Sequence, residues 1–116
     1  MSLERALDTL VSLGLTRLDA EVYVFLAKKG PHKATDIISA LGIPKQQFYN
    51  SLRSLKEKGI IIATPERQIQ YSANSIEKVL DELVKAKVEQ TKALQASRKE
   101  LLSNWRSMIE KESANS

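Results

Sequence analysis

The chain has 116 residues, of which 42% are hydrophobic and 28% charged, values typical of one globular domain with at most one added element. It has no cysteine and one histidine, which excludes disulfides, thiolate metal sites and cysteine nucleophiles and leaves no cluster of metal-binding histidines. The net charge of +4 favours an anionic partner, and the absence of a signal-like or membrane-spanning apolar run predicts a cytoplasmic protein.

Four glycines, each following an apolar-periodic segment, divide the first half of the chain into four predicted helices. Glycine just past a helix adopts the left-handed cap conformation without steric cost. Thr16 and Asp19 predict a capping pair at the start of the second helix. The glycines are Gly14, Gly30, Gly42 and Gly59, and the apolar positions of the first two helices are Leu3, Leu7, Leu10, Leu18, Val22, Phe25 and Leu26.

The third and fourth helices are separated by a very short connection. The third is expected over residues 34–41 and the fourth over residues 44–58, with Phe48, Leu52 and Leu55 as its apolar stripe. His32 lies beside a proline in the turn before the third helix, where we expect a solvated surface side chain.

After Gly59 the pattern changes to that of strands. The segments "IIIATP" and "IQYSA", separated by a polar turn, predict a two-stranded hairpin. From Ser75 to Glu112 neither glycine nor proline occurs, which predicts one long helix, and residues 113–116 are expected to fray. Such a helix is too long to be covered by so small a core.

Three helices followed by a hairpin are the order of a winged helix-turn-helix, with the fourth helix as the DNA-reading element. On a helical wheel Gln46, Asn50 and Arg53 project away from the apolar stripe, and amides and arginine are the side chains that pair with base edges. Lys45 lies at the helix N-terminus, where a phosphate is favoured. An ordinary solvated helix face is the competing interpretation.

Further DNA contacts are expected from residues outside this helix. Arg67 in the wing turn is a candidate phosphate or minor-groove contact, and Lys33 and Thr35 lead into the third helix, where a backbone clamp often sits. The acidic Glu57 and Glu66 would repel phosphate and weaken this interpretation.

The long helix carries apolar residues near a 3.5-residue spacing, which predicts a dimer interface. Lys87, Thr91 and Arg98 interrupt this pattern, so the coiled coil is marginal. A lone solvated helix would leave Trp105, the largest apolar side chain, in water. The expected interface residues are Leu80, Val84, Leu94, Leu101, Trp105 and Met108, flanked by Leu83, Val88, Leu102 and Ile109.

The segments "LGLT", "DAEVY", "KGP", "ATDI", "LGIPKQQFYNSLRSLKEKG" and "IQYSA" together resemble the DNA-binding domain of the archaeal TrmB-like transcriptional regulators, over about residues 3–80. The resemblance implies a winged helix that binds operator DNA as a dimer. It implies a short member without the sugar-binding domain, in which the last helix mainly dimerises. It also implies base contacts from Gln46, Gln47, Tyr49, Asn50 and Arg53.

Two positions depart from that family's pattern. Lys33 stands where a small polar residue is usual, so the usual helix cap is not expected there. Phe48 stands where an aliphatic residue is usual, and a core tolerates that change.

These observations predict a mainly α fold with a small β-hairpin: a winged helix-turn-helix over residues 1–74 and a long C-terminal dimerisation helix over residues 75–112. We expect a non-enzymatic homodimer that binds double-stranded DNA and regulates transcription, with no cofactor, metal, membrane or small-molecule ligand. The alternative is a winged-helix module for protein contacts within a transcription or chromatin assembly.

Overall fold

The computed structural model describes residues 2–65 and 67–114, without the side chains of 113 and 114. The predicted order of helices, hairpin and long helix is confirmed. The elements are α1 Leu3–Ser12, α2 Arg17–Lys29, α3 Ala34–Leu41, α4 Lys45–Glu57, β1 Ile61–Thr64, β2 Gln70–Ala73 and α5 Ile76–Ala114.

The helix starts and ends follow from local sequence. The side-chain oxygen of Thr16 accepts from the N–H of Asp19 at 3.1 Å and so caps α2. Lys33 is the N-cap residue of α3 and makes no side-chain cap, as the lysine at this position predicts. Gly42 ends α3 in the left-handed conformation, with φ 62° and ψ 36°, which a residue with a Cβ adopts only at a cost in energy.

One core joins α1, α2, α3, α4 and the hairpin, and the first turns of α5 pack into it. Phe48, Ile37 and Leu55 are fully buried at its centre. Val79 and Leu83 of α5 are 1% and 6% exposed and belong to the same cluster. The first compact unit therefore extends through Val84.

A buried polar contact ties α2 to α4. The Ser51 hydroxyl donates to the Asp19 carboxylate, and both residues are buried. The predicted capping pair is therefore only half right, because Thr16 caps the helix while the Asp19 side chain bonds across the core. Removing either partner would leave a buried polar group unsatisfied, so this hydrogen bond holds α4 in place.

The hairpin is antiparallel, pairing Ile61 with Ala73 and Thr64 with Gln70. His32 was expected to be a solvated surface side chain, but its ring is half-buried, and its backbone forms a bridge to the hairpin. His32 N–H donates to the Tyr71 carbonyl at 3.1 Å, and Tyr71 N–H returns a bond of 2.8 Å. The half-buried ring packs edge-on against Phe25 at 5.2 Å between centroids. His32 thus anchors β2 to the helical core.

Asn74 connects the hairpin, α2 and the turn after α4. Its carbonyl accepts from the Tyr23 hydroxyl at 2.8 Å, and its side-chain amide donates to the Gly59 carbonyl at 2.9 Å. Burial raises the pKa of Tyr23, and the nearby charge of Glu77 raises it further. The Ser75 side chain then accepts from the N–H of Lys78 at 3.3 Å at the start of α5.

The second unit begins at Lys85 and consists of the later part of α5. Every side chain described from Val84 to Glu112 is exposed. Residues 113–116 were expected to fray. The backbone of residues 113 and 114 is helical, since α5 runs to Ala114, and residues 115–116 lie outside the described residues. In the described ranges, no helix has the length and apolarity needed to cross a bilayer.

Candidate nucleic-acid interface

Helix α4 has one buried and one exposed face. Phe48, Ser51, Leu52 and Leu55 are buried against the core. The i, i+3, i+4 spacing of the helix directs the residues between them away from that core. The exposed residues are Lys45, Gln46, Gln47, Tyr49, Asn50, Arg53, Lys56 and Glu57.

The start of α4 is open to a ligand. Pro44 is the N-cap residue, in an extended conformation at φ −63° and ψ 140°, and makes no side-chain cap. The first N–H groups of the helix therefore have neither an intrahelical nor a capping partner, and the helix dipole adds positive potential there. Lys45 is exposed at this end and adds a full positive charge.

One turn of α4 carries a pair of interacting amides. The Gln46 side-chain amide donates to the Asn50 side-chain oxygen at 3.2 Å. This hydrogen bond holds the two side chains side by side and leaves the Gln46 oxygen and the Asn50 amide group for other partners. A neighbouring acceptor and donor are what the major-groove edge of adenine requires.

An open groove separates α4 from the wing strand β2. Its walls include Arg53, Lys56 and Glu57 on one side and Tyr71 on the other, with Leu52 beneath. Tyr49, 37% exposed, packs edge-on against Phe48 at 5.3 Å and lines the same groove. The structure thus brings Tyr49 and Arg53 next to the wing.

Two residues of this groove, Lys56 and Tyr71, are not among those expected from the sequence. Lys56 lies three residues after Arg53, and that spacing alone places both cations on one helix face. Tyr71 could not be assigned to this site from sequence, because only the pairing of β2 brings it beside α4.

The remaining candidates lie on other elements. Lys33 is half-buried at the start of α3, and Thr35 is exposed in the first turn of that helix. Arg67 is exposed in the turn between β1 and β2. Glu66, expected to oppose DNA binding, lies outside the described residues, so that interpretation stays a prediction.

The expected dimer positions are exposed in the single chain, with one exception. Leu80 is half-buried and packs against its own core. Leu94 is 62% exposed and Trp105 51%. Val84, Leu101 and Met108 are likewise exposed, at 48%, 54% and 47%.

A family model described as the sugar-specific transcriptional regulator TrmB matches residues 10–77. The HTH-type sugar sensing transcriptional regulator TrmBL1 of Pyrococcus furiosus is 35% identical to this chain over 85 residues, covering 70% of this chain and 25% of that protein. The chain therefore spans about a quarter of the length of this relative.

Two solved structures share the fold. TrmBL2, described as an archaeal chromatin protein with a novel mode of DNA binding, matches with a TM-score of 0.75 at 24% identity, over 94% of this chain and 42% of that chain. The ST1889 protein of Sulfolobus tokodaii matches with a TM-score of 0.62 at 26% identity, over 80% of this chain and 99% of that chain.

Proposed function

The chain belongs to the TrmB family of transcriptional regulators, and from that membership we propose that it binds double-stranded DNA sequence-specifically, as a homodimer, and regulates transcription in the cytoplasm. The observation that carries the proposal is the exposed face of α4. This face presents amides and cations, while the opposite face of the helix is buried in the core. Side chains that can hydrogen-bond to base edges or phosphates are concentrated on this face, which favours a DNA contact over an ordinary solvated helix face.

The centre of α4 reads base edges in the major groove. The hydrogen-bonded pair Gln46 and Asn50 offers a donor and an acceptor together, which suits adenine. Arg53 follows one turn later and suits guanine, whose N7 and O6 accept a bidentate guanidinium.

The ends of the interface hold the phosphate backbone. Lys45 and the free N–H groups of the first turn of α4 bind one phosphate. Lys33 and Thr35 at the start of α3 and Arg67 in the wing turn contact the backbone on either side. Gln47 and Tyr49 border the α4 face and contribute to the same surface.

The homodimer is supported by α5. Leu94, Leu101, Trp105 and Met108 are exposed along one side of the helix, where a second copy of the chain would cover them. A second copy of the same helix offers a matching apolar surface.

The experiment compares Arg53→Ala with Lys45→Ala on a site selected from random duplexes. Arg53→Ala is expected to cost about 1–3 kcal/mol on the preferred site and to relax selectivity at one base pair. Lys45→Ala is expected to weaken all sequences about equally and to reduce the salt slope by about one unit per monomer. Lys28→Ala, an exposed lysine of α2, is the matched control and should change neither quantity.

Each outcome is informative. Uniform loss of affinity in both variants would make Arg53 a phosphate contact and contradict the base-reading role. If neither variant changed binding to any duplex, the proposed DNA interface would be wrong. The winged helix would then serve protein contacts instead.

A further inference from the structure

The later part of α5 has a line of side chains with alternating three- and four-residue spacing, here called the α5 seam. Its members are all exposed, and their chemistry differs between the two halves. The first half includes the charged Lys87 and the small Thr91, and the second half includes the large apolar Leu101 and Trp105 together with the charged Arg98. The α5 seam comprises Val84, Lys87, Thr91, Leu94, Arg98, Leu101, Trp105 and Met108.

A parallel pair of α5 helices would place each seam residue against its own copy. Lys87 would then face Lys87, and Arg98 would face Arg98, which buries two pairs of like charges in the interface. The bulky Trp105 would meet Trp105, while Thr91 would meet Thr91 and fill the seam poorly. Parallel pairing therefore places repulsion and poor packing in the same interface.

We propose that two copies of the chain pair through the α5 seam in antiparallel orientation, with the two-fold axis crossing the seam at the level of Ala96. This inference rests on the proposed homodimer and specifies its geometry. Residues equally far before and after Ala96 then meet across the axis. The resulting contacts are Val84 with Met108, Lys87 with Trp105, Thr91 with Leu101 and Leu94 with Arg98, each formed twice.

Antiparallel pairing removes the like-charge contacts and matches small residues with large ones. The Lys87 ammonium lies against the Trp105 ring, where a cation is attracted to the π face. The aliphatic stem of Arg98 packs on Leu94 while its guanidinium reaches water. Thr91 is small and leaves room for Leu101. Each facing pair along the seam therefore combines side chains of similar total volume.

Spin-label distances test this arrangement in the full-length chain, which has no cysteine of its own. Single labels are placed at Ala96→Cys, Ser103→Cys and Glu110→Cys, all exposed and one heptad apart on the side opposite the seam. In the antiparallel pair the axial offset between the two labels is about 0 Å at residue 96, about 21 Å at residue 103 and about 42 Å at residue 110. The measured interchain distance should therefore increase along this series.

The possible results separate the geometry from the homodimer itself. Equal distances at all three positions would mean parallel pairing and would overturn the inference. A shortest distance at Ser103 would overturn the position of the axis. A monomer in sedimentation, with no interchain distance at any label, would contradict the proposed homodimer as well.

Disulfide crosslinking provides a second measurement. Chains carrying Thr91→Cys are mixed with chains carrying Leu101→Cys and oxidised. The yield of disulfide-linked dimer from the mixture should be at least about tenfold higher than the yield from either variant alone. Dominant crosslinking of Thr91→Cys chains with themselves would overturn the antiparallel arrangement.

Discussion

The first unit, which ends at Val84, and the second, which begins at Lys85, differ in how far they bury the apolar side chains of α5. Val79 and Leu83, before the boundary between these two regions, are 1% and 6% exposed, whereas Leu94 and Leu101, beyond it, are 62% and 54% exposed. All four are aliphatic residues on one continuous helix. The burial of an apolar side chain therefore depends on what lies opposite it, and only the first turns of α5 meet the core of their own chain.

The two regions also differ in how their polar groups are satisfied. In the part of the chain that the structure describes, no buried side-chain nitrogen or oxygen lacks a hydrogen-bond partner. The first region achieves this with cross-core bonds such as Ser51 to Asp19 and Tyr23 to Asn74. The later α5 has exposed polar groups and an exposed apolar line, which supports the proposed pairing of two such helices.

Two truncations test the comparison most strongly. A chain ending at Val84 keeps Val79 and Leu83 and should fold as a monomer, because every member of the α5 seam after Val84 is removed. A chain ending at Ser75 loses both buried side chains and should be about 3–6 kcal/mol less stable to unfolding, at about 1.5–3 kcal/mol for each. Urea unfolding and sedimentation measure the two properties. A dimer formed by residues 1–84 would contradict the division.

Replacing a side chain at the centre of the first region should have the next largest effect. Phe48 is 0% exposed, so Phe48→Ala leaves a cavity and should cost about 3–5 kcal/mol in the free energy of unfolding. Tyr49→Ala, at the exposed neighbouring position, is the matched control and should cost much less. Comparable losses in the two variants, measured by urea unfolding, would show that α4 is not packed as described.

Replacing the largest side chain of the second region should affect association. Trp105→Ala is expected to weaken the dimer by more than about 1 kcal/mol, as interface anchors commonly do. Asn104→Ala, on the adjacent exposed position, should leave the dimerisation constant nearly unchanged. Sedimentation equilibrium over a range of protein concentrations measures both, and an unaltered constant for Trp105→Ala would place the interface elsewhere.

The smallest effect should appear at high pH, in the first region. The pKa of Tyr23 is raised above its ordinary 10.0, mainly by burial, so the unfolded chain ionises first. The stability that neutral Tyr23 contributes is therefore present below pH 10 and is lost as pH rises through the folded-state pKa. Tyr23→Phe should be about 0.5–1.5 kcal/mol less stable at neutral pH, from loss of the bond to Asn74.

The pH dependence separates this effect from simple repacking. The stability difference between the wild type and Tyr23→Phe should shrink above pH 10, because only the wild type loses stability on ionisation of this residue. A difference that stayed constant with pH would contradict the link between burial and stability. Tyr49→Phe, which removes an exposed hydroxyl, is the control at neutral pH.

Local sequence determined the elements of this protein and much of the candidate site. Thr16 caps α2, and Gly42 ends α3 in the conformation that glycine favours. The period of Phe48, Leu52 and Leu55 predicted which side of α4 is buried. Each of these features depends on residues within a turn or two of one another, so the sequence contains the information directly.

Other features were decided only when distant elements met. Asp19 has the right spacing for a cap, but the approach of α4 brings Ser51 to it, and the cross-core bond forms instead. His32 reads as a surface turn residue until β2 pairs with its backbone. Val79 and Leu83 share an apolar pattern with the later α5, and only the position of the core separates them. The sequence pattern shows which side chains are apolar and would be stabilised by burial, whereas the packing of the chain determines which of them are buried within their own chain.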